Sequence, residues 1–342
     1  MSLILAVLAA MTSFAQTYAA KRTTVDSIEV VRLTGNAHQT EVSIAPSVGN
    51  TAYELKVKGQ NVFWFPDGIG KYKEKRTTIA ANPFLAPWAN RLDQDAFYAN
   101  GEKYLLNPDL KNLRRDGNGY PIHGLLLFCP DWQVVSLRAD AEGAETTSRI
   151  EFWRYPDLMA QFPFAHTIEM THRLSRGVLE VRTRIESQSK APMPLVIGFH
   201  SFFQVHDAPV DQWKVHVAAA DLVEITKEGL PTGTRTPVCL PDPAPLATTT
   251  MNDVFTNHIS DADGRAEFWL QGITQKVSVI LGPKYTTSIV WRPPDGRFLC
   301  IEPMSGITNG ANLAHAGLYK ELQSVPPGGV WQESFWIKPS GF

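Results

Sequence analysis

The chain has 342 residues, of which 44% are hydrophobic and 19% are charged, with 32 basic and 34 acidic side chains. This length suits one large domain or two ordinary ones, and the apolar content is enough for a substantial core. A net charge of −2 argues against a nucleic-acid binder, which needs a concentrated excess of Lys and Arg. Because the only long charge-free run is N-terminal, no stable membrane insertion is expected.

The N-terminus resembles a signal peptide. Residues 1–20 carry no charge, and residues 3–11 form an apolar run of the right length. Residues 13–15 and 18–20 each place small residues where a signal peptidase cleaves. We therefore predict a signal peptide over residues 1–20, one domain over residues 21–342, and a periplasmic or secreted location. The usual basic start is missing, so a cytoplasmic protein with an uncleaved leader stays open.

Beyond the leader, apolar and polar residues alternate with a period of two. Residues 179–186 alternate without a break, residues 166–174 do the same, and Gly177 lies between the two runs. This pattern predicts an antiparallel hairpin. Further strands are predicted at 54–57, 62–65, 134–139, 149–155, 194–203, 214–219, 266–270, 277–281, 288–292, 298–302 and 332–338.

Helical signals are few. Only residues 312–322 form a predicted helix, and the proline-rich residues 230–250 are predicted to be a long surface loop. Many strands and few helices predict an all-β fold, a large antiparallel sandwich or barrel. No internal repeat is present, which also favours a single domain.

Motifs for nucleotides and metals are absent. The sequence has no glycine-rich dinucleotide fingerprint, no phosphate loop, no paired-histidine zinc helix and no nucleophile elbow. Its three cysteines, Cys129, Cys239 and Cys300, are too scattered for a disulfide scaffold or a zinc site. We therefore expect neither a cofactor nor a metal ion.

Four polar residues lie in apolar or turn-rich surroundings: Arg91, His123, His200 and Glu302. Buried charged or imidazole groups are costly unless they are paired, so these residues are expected to face one cavity or each other. A purely structural alternative stays open for each. A histidine among apolar residues is more often a core residue than a catalyst, and the alternative for Glu302 is an ordinary edge-strand carboxylate paired with Arg91.

Seven short segments then form a recognisable set in chain order: Asn82–Arg91, Ala96–Asn107, His123–Leu125, His200–Gln204, Leu230–Gly233, Ile301–Gly306 and Pro326–Gly328. Together they resemble the aldose 1-epimerase (galactose mutarotase) family. The resemblance implies a large antiparallel β-sandwich, the galactose-mutarotase-like supersandwich, with an open sugar-binding cleft. It also implies interconversion of the α and β anomers of a free hexose such as galactose or glucose, without cofactor or metal.

The resemblance also assigns roles to residues. Glu302 would be the general base that removes the proton of the anomeric hydroxyl, and His200 the general acid that protonates the ring oxygen. Arg91, His123 and Asn90 would hold the sugar.

One departure concerns an aspartate that the family generally places three residues before a phenylalanine. Here Asn252 stands at that offset from Phe255 and Asp253 follows it, so both are candidates for binding sugar hydroxyls. This change puts the identity of the sugar in question more than the chemistry.

Two other functions stay open at this stage. A non-catalytic carbohydrate-binding protein on the same fold is one. A polysaccharide hydrolase or lyase is the other, and it would need a second carboxylate near Glu302, for which Asp253 and Asp93 are the candidates. The expected partner is a small sugar, and the protein is expected to be a monomer or homodimer.

Overall fold

The computed structural model describes residues 17–342. The first half of that span contains β1 (Tyr18–Val25), β2 (Ile28–Gly35), β3 (Thr40–Ala45), β4 (Thr51–Val57), β5 (Gln60–Asn61), β6 (Phe84–Leu85), β7 (Ala96–Ala99), β8 (Glu102–Leu105), β9 (Gln133–Ala139), β10 (Ala144–Glu151), β11 (His166–Ser175) and β12 (Val178–Ser187). The second half contains β13 (Met193–Leu195), β14 (Gly198–Phe199), β15 (Phe202–Phe203), β16 (Lys214–His216), β17 (Ala219–Ile225), β18 (Pro231–Pro237), β19 (Ala244–Pro245), β20 (Asn252–His258), β21 (Ala266–Gln271), β22 (Lys276–Leu281), β23 (Thr287–Trp291), β24 (Leu299–Met304), β25 (Gln323–Val325) and β26 (Val330–Ser340). The α-helices are short: α1 (Ile69–Lys75), α2 (Pro156–Gln161) and α3 (Gly310–His315).

Two large antiparallel sheets form the body of the protein. One has nine strands in the order β19-β16-β21-β22-β26-β12-β11-β10-β9. The other has eight strands in the order β18-β17-β20-β23-β24-β14-β6, with β15 also paired to β24. The sheets pack on each other through aromatic side chains, and the rings of Phe199 and Phe335 lie 4.8 Å apart. The predicted all-β sandwich is therefore confirmed.

A five-stranded sheet, β1 to β5 in sequence order, packs beside the nine-stranded sheet. Its first strand is anchored by Tyr18, which is buried and whose hydroxyl accepts a hydrogen bond from the backbone N–H of Arg176. Residues 1–16 of the predicted signal peptide lie outside the described residues, whereas its residues 18–20 belong to β1. In the part of the chain that is described, no helix has the length and apolar character needed to span a bilayer.

The predicted hairpin is β11 and β12. Its burial alternates residue by residue along β12, because successive side chains of a strand point to opposite faces of the sheet. Arg176 and Gly177 connect the strands with φ angles of 52° and 75°, the left-handed backbone that two-residue hairpin turns require.

Some sequence-based assignments were wrong. Residues 62–65 are not a strand, because the Asn61 side chain accepts hydrogen bonds from the backbone N–H groups of Leu55 and Phe63 and so replaces a ladder partner. The predicted helix 312–322 ends at His315, since Gly317 takes a φ of 75°. The predicted loop 230–250 contains β18 and β19; β18 lies at a sheet edge, where prolines are tolerated.

The predicted long strand 194–203 is divided into β13, β14 and β15. Between β14 and β15 the chain leaves the ladder at His200 and Ser201. The Ser201 hydroxyl donates to Oδ1 of Asn82, and the His200 backbone N–H donates to the carbonyl of Pro83. This interruption frees the His200 side chain from regular strand alternation and places it over the eight-stranded sheet.

Candidate active site

A cavity of about 520 Å³ opens over the eight-stranded sheet. This volume falls within the roughly 300–1,000 Å³ range of small-molecule sites. Its lining combines polar groups with aromatic and aliphatic side chains: Trp64, Thr77, Thr78, Ile79, Asn90, Arg91, Arg114, Ile122, His123, His200, Phe202, Asn252, Ile289, Trp291, Phe298 and Glu302. Six of the seven site residues predicted from the sequence line this cavity, and Asp253 does not.

Arg91 and His123 are brought together by two segments that run side by side. The backbone N–H groups of Leu125 and Leu126 both donate to the carbonyl of Ala86, and that of His123 donates to the carbonyl of Asn90. Gly124 makes this approach possible, because a Cβ atom there would lie 2.2 Å from the carbonyl oxygen of Ala86. A side chain at this position would push the His123 loop away from the Asn90–Arg91 segment.

His200 lies at the centre of an aromatic arrangement. Its ring stacks on Phe202 at a centroid distance of 4.5 Å. It also makes T-shaped contacts with the rings of His123 and Trp291, at centroid distances of 5.3 Å and 6.0 Å. These contacts fix the orientation of the imidazole. Its Nδ1 atom is buried and has no hydrogen-bond partner within residues 17–342.

Glu302 comes from β24, in the middle of the eight-stranded sheet. Glu302 is 1% exposed, and its Oε1 atom lies 3.4 Å from Nε2 of His200. The second oxygen, Oε2, has no hydrogen-bond partner in the described part of the chain. A buried carboxyl oxygen without a partner, at the floor of a cavity, is available to a ligand hydroxyl.

Burial shifts the titration of both groups towards their neutral forms. It raises the pKa of Glu302 well above its ordinary value, and the positive charge of Arg91 offsets only part of this rise. Burial also lowers the pKa of His200 to about 3, with Arg91 and Arg114 acting in the same direction. Both shifts favour the carboxylic acid and the neutral imidazole over the carboxylate–imidazolium pair.

Arg91 is held by a carboxylate that the sequence did not suggest. Its Nε atom donates to Oδ2 of Asp116 at 2.6 Å, and Nη1 donates to Oδ1 of Asn90 at 3.1 Å. Burial of Asp116 opposes its ionisation, but the hydrogen bond from Arg91 and two backbone N–H donors outweigh it and lower the pKa. Asp116 thus balances the charge of Arg91 and fixes its orientation.

Arg114 is a second cavity cation that sequence reasoning missed. Its guanidinium donates to the backbone carbonyls of Arg76 and Thr77, which connects it to the loop that forms one cavity wall. Within residues 17–342 it makes no salt bridge. In the sequence it stands among charged and polar residues typical of a surface loop, so no local pattern distinguishes it.

The register of β20 separates the two candidate residues near Phe255. Asn252 is exposed and lines the cavity, whereas Asp253 points away from it and its pKa is raised by burial. The neighbouring wall is aromatic, with Trp64 packed on Phe298 at 4.4 Å and Trp291 on Phe298 at 5.5 Å. Phe202 and Trp291 also line the cavity.

Comparisons with known proteins agree on one family. The family model described as aldose 1-epimerase matches residues 29–338. A galactose mutarotase-like protein from Clostridium acetobutylicum has a similar structure, with a TM-score of 0.83 and 20% identity over 94% of this chain and 98% of that one. A galactose 1-epimerase from Lactobacillus acidophilus is also similar, with a TM-score of 0.72 and 12% identity over 96% of this chain and 100% of that one.

At these identities the structural neighbours establish the fold alone. The family match covers most of the chain, including every residue that lines the cavity. The chain therefore belongs to the aldose 1-epimerase family.

Proposed function

We propose that this protein is an aldose 1-epimerase that interconverts the α and β anomers of a free hexose such as galactose or glucose. The observation that supports this most directly is the contact between Glu302 and His200 at the floor of the cavity. Anomer exchange needs one group that accepts a proton and one that donates a proton, placed within reach of two neighbouring oxygens of the sugar. The adjacent carboxyl and imidazole meet this requirement.

In the proposed reaction, Glu302 accepts the proton of the anomeric hydroxyl while the bond between C1 and the ring oxygen breaks. His200 donates a proton to the ring oxygen, which leaves an open-chain aldehyde. After rotation about the C1–C2 bond, the chain hydroxyl attacks the other face of the carbonyl. His200 then takes back its proton and Glu302 returns its own to the new anomeric hydroxyl, so no net proton is consumed.

The titration of the pair suits this cycle. Ring opening starts from a carboxylate and an imidazolium, and ends with a carboxylic acid and a neutral imidazole. Both states contain one proton, and burial favours the second. The raised pKa makes the Glu302 carboxylate a stronger proton acceptor, and the lowered pKa makes the His200 imidazolium a stronger proton donor, which is the direction of proton transfer in ring opening.

The surrounding residues are suited to holding a sugar. We assign Arg91, His123 and Asn90 to the hydroxyls and the ring-oxygen side, because all three line the same cavity as the pair. Asn252 lies on β20, two strands from β24 in the same sheet, and offers both a donor and an acceptor. The faces of Trp291 and Phe298 provide apolar surface against which a pyranose ring can pack.

The polysaccharide hydrolase or lyase alternative is not favoured. Hydrolysis of a glycosidic bond ordinarily uses two carboxylates that flank it. Among the described residues that line the cavity, Glu302 is the only carboxylate. Asp253 points elsewhere, and the exposed Asp93 accepts a hydrogen bond from the Asn312 side chain outside the cavity.

Anomer exchange on freshly dissolved sugar, followed by polarimetry or NMR and corrected for the spontaneous rate, tests the proposal. We expect Glu302→Gln to lower the catalysed rate by roughly 10²–10⁴-fold, the usual contribution of a general base. Glu267→Gln removes a partly exposed carboxylate of β21 and is the matched control, expected to keep wild-type activity. Sugar binding without acceleration by wild-type protein would instead support the carbohydrate-binding alternative.

Export remains part of the proposal, with cleavage after Ala15 rather than after Ala20. Cleavage after Ala20 would remove residues 18–20 from β1, including buried Tyr18 and its hydrogen bond to Arg176. Cleavage after Ala15 leaves β1 whole. Mass spectrometry of protein recovered from the periplasm or medium distinguishes the two sites, and a full-length mass in the cytoplasm would contradict export.

A further inference from the structure

Cys300 lies directly behind the proposed catalytic pair. It stands two residues before Glu302 on β24, so both side chains point to the same face of the sheet. One ligand atom each from His200, Cys300 and Glu302 lies within 4.8 Å of the others, and all three residues are buried. We propose that these three residues form a binding site for a thiophilic divalent cation such as Zn²⁺, and that an ion bound there blocks the active site.

The distances are compatible with a tetrahedral ion after small side-chain rotations. Zinc binds sulfur at about 2.3 Å and imidazole nitrogen at about 2.0–2.1 Å, which places neighbouring ligand atoms about 3.5 Å apart. The Nε2 atom of His200 and the Oε1 atom of Glu302 are already 3.4 Å apart. All three ligand atoms lie within 4.8 Å of one another, so only the thiol must approach, by about 1 Å. A water molecule would supply the fourth ligand.

The chemistry of the three ligands favours a soft ion. Thiolate and imidazole ligands together select zinc over magnesium or calcium, which prefer oxygen. Burial raises the pKa of both Cys300 and Glu302, so the entering ion displaces their protons to solvent. The resulting thiolate and carboxylate, with a neutral imidazole, balance the divalent charge, so the complex as a whole is neutral. That neutrality suits a buried position, where an uncompensated charge is expensive.

Two further observations support the site. The Oε2 atom of Glu302 and the Nδ1 atom of His200 are buried without hydrogen-bond partners among residues 17–342, so apart from their contact with each other neither side chain is held by another polar side chain in that part of the protein. Arg91, whose charge acts on both Glu302 and His200, is balanced by Asp116 at 2.6 Å, which weakens its repulsion of an entering ion. Cys300 itself packs against Phe202 and Phe298, whose rings keep bulk water from the thiol.

A bound ion would occupy the two groups that the proposed reaction uses. Zinc on Glu302 and His200 removes both the proton acceptor and the proton donor, and inhibition should compete with sugar. This consequence rests on the proposed function, whereas binding of the ion does not. The two can therefore be tested separately.

Binding is measured first, with untagged protein in a Cys239→Ser background, because Cys239 is an exposed free thiol. Titration with Co²⁺ should produce the absorption band of a cobalt–thiolate bond, and added Zn²⁺ should displace it. Cys300→Ala should abolish the band and weaken zinc binding at least tenfold. Cys129→Ala, which removes the other buried thiol, should leave both unchanged.

A missing thiolate band in the parent protein, or a band that survives Cys300→Ala, overturns the proposal. Cys300→Ser preserves the side-chain volume and serves if the alanine variant does not fold, since a hydroxyl is a poor zinc ligand. Inhibition is measured second, as loss of anomer exchange on adding Zn²⁺ and its return with EDTA. Thiolate binding without catalysed exchange would uphold the metal site while refuting the epimerase function.

Discussion

The Nε2 atom of His200 lies 3.4 Å from the Oε1 atom of Glu302, and both side chains are buried beneath the cavity. Burial disfavours the charged form of each, which raises the pKa of Glu302 and lowers that of His200. Two groups this close titrate as a unit, so the protons belong to the pair rather than to either residue. A proton bound by the pair is shared between the carboxyl and the imidazole.

The first prediction is the pH dependence that this shared proton imposes. We expect kcat/KM for anomer exchange to pass through a plateau between an acid limb and an alkaline limb. It should fall on the alkaline side when the pair loses its proton, at an apparent pKa above the ordinary glutamate value of 4.5. It should fall on the acid side only below the ordinary histidine value of 6.5, when a second proton binds.

Polarimetric rates at fixed ionic strength, after subtraction of the buffer-catalysed reaction, provide this profile. His200→Gln should remove the catalysed rate at every pH instead of moving one limb, because the remaining carboxyl has no partner for the second proton. If the pH profile showed a limb at the ordinary pKa of a glutamate or of a histidine, the shared-proton description would be wrong.

The second prediction concerns Asp116, which positions Arg91. Asp116→Asn removes the carboxylate that accepts from the Arg91 Nε atom at 2.6 Å but keeps an amide oxygen there. Charge-assisted hydrogen bonds are roughly twice as strong as neutral ones. We expect KM to rise roughly tenfold, which corresponds to about 1.4 kcal/mol, with a smaller change in kcat.

The matched control for this variant is Asp95→Asn. Asp95 pairs with Arg115 at 2.7 Å, but both side chains are substantially exposed, at 43% and 35%. Exposed pairs of this kind contribute little, and neither KM nor stability should change measurably. If both substitutions raise KM equally, Asp116 has no special positioning role.

The third prediction concerns the strand that carries Asn252. Asn252 lines the cavity while Asp253 does not, so only the first should affect sugar preference. Asn252→Asp replaces a group that both donates and accepts with one that only accepts, and more strongly. We expect the ratio of kcat/KM for galactose to that for glucose to change by roughly fivefold or more, about 1 kcal/mol.

Asp253→Asn is the control on the adjacent, partly buried position. It should leave the galactose-to-glucose ratio within twofold of wild type while any effect on stability is measured separately. An altered ratio in this variant, with none in Asn252→Asp, would mean that the assigned register of β20 does not describe the sugar-bound protein.

The regular parts of the fold were predictable because alternation is a local property. The hairpin of β11 and β12 followed directly from period-two runs around Gly177. The division of residues 194–203 did not, because it depends on hydrogen bonds from Ser201 and His200 to residues 82 and 83, more than 110 positions away. The segment that carries His200 was therefore the one whose local sequence pattern said least about its structure.

The site shows the same division. Glu302 and His200 stood out because a charged or imidazole group in an apolar strand needs a reason. Arg114 and Asp116 stood among other polar residues, where nothing in the sequence separates a surface charge from a cavity wall. Cys300 was set aside with the other cysteines because sequence spacing reveals metal sites built from several cysteines or histidines close in the chain. The group of one histidine, one cysteine and one glutamate around Cys300 is instead brought together by the pairing of β15 with β24.

The last prediction concerns stability and a histidine far from the cavity. His172 on β11 is 1% exposed, neither ring nitrogen has a hydrogen-bond partner among the described residues, and burial lowers its pKa to about 4. The unfolded chain binds a proton near pH 6.5 that the folded chain does not bind until about pH 4, so stability falls as pH drops through this window. This single group lowers the free energy of unfolding by about 2 kcal/mol between pH 8 and pH 5.

His172→Leu removes the imidazole that binds this proton. Urea unfolding should therefore show the variant gaining about 2 kcal/mol more over wild type at pH 5 than at pH 8. His38→Leu, at an exposed position, controls for loss of an imidazole that is not buried. An equal gain for His172→Leu at both pH values would mean that the buried imidazole does not contribute to acid unfolding.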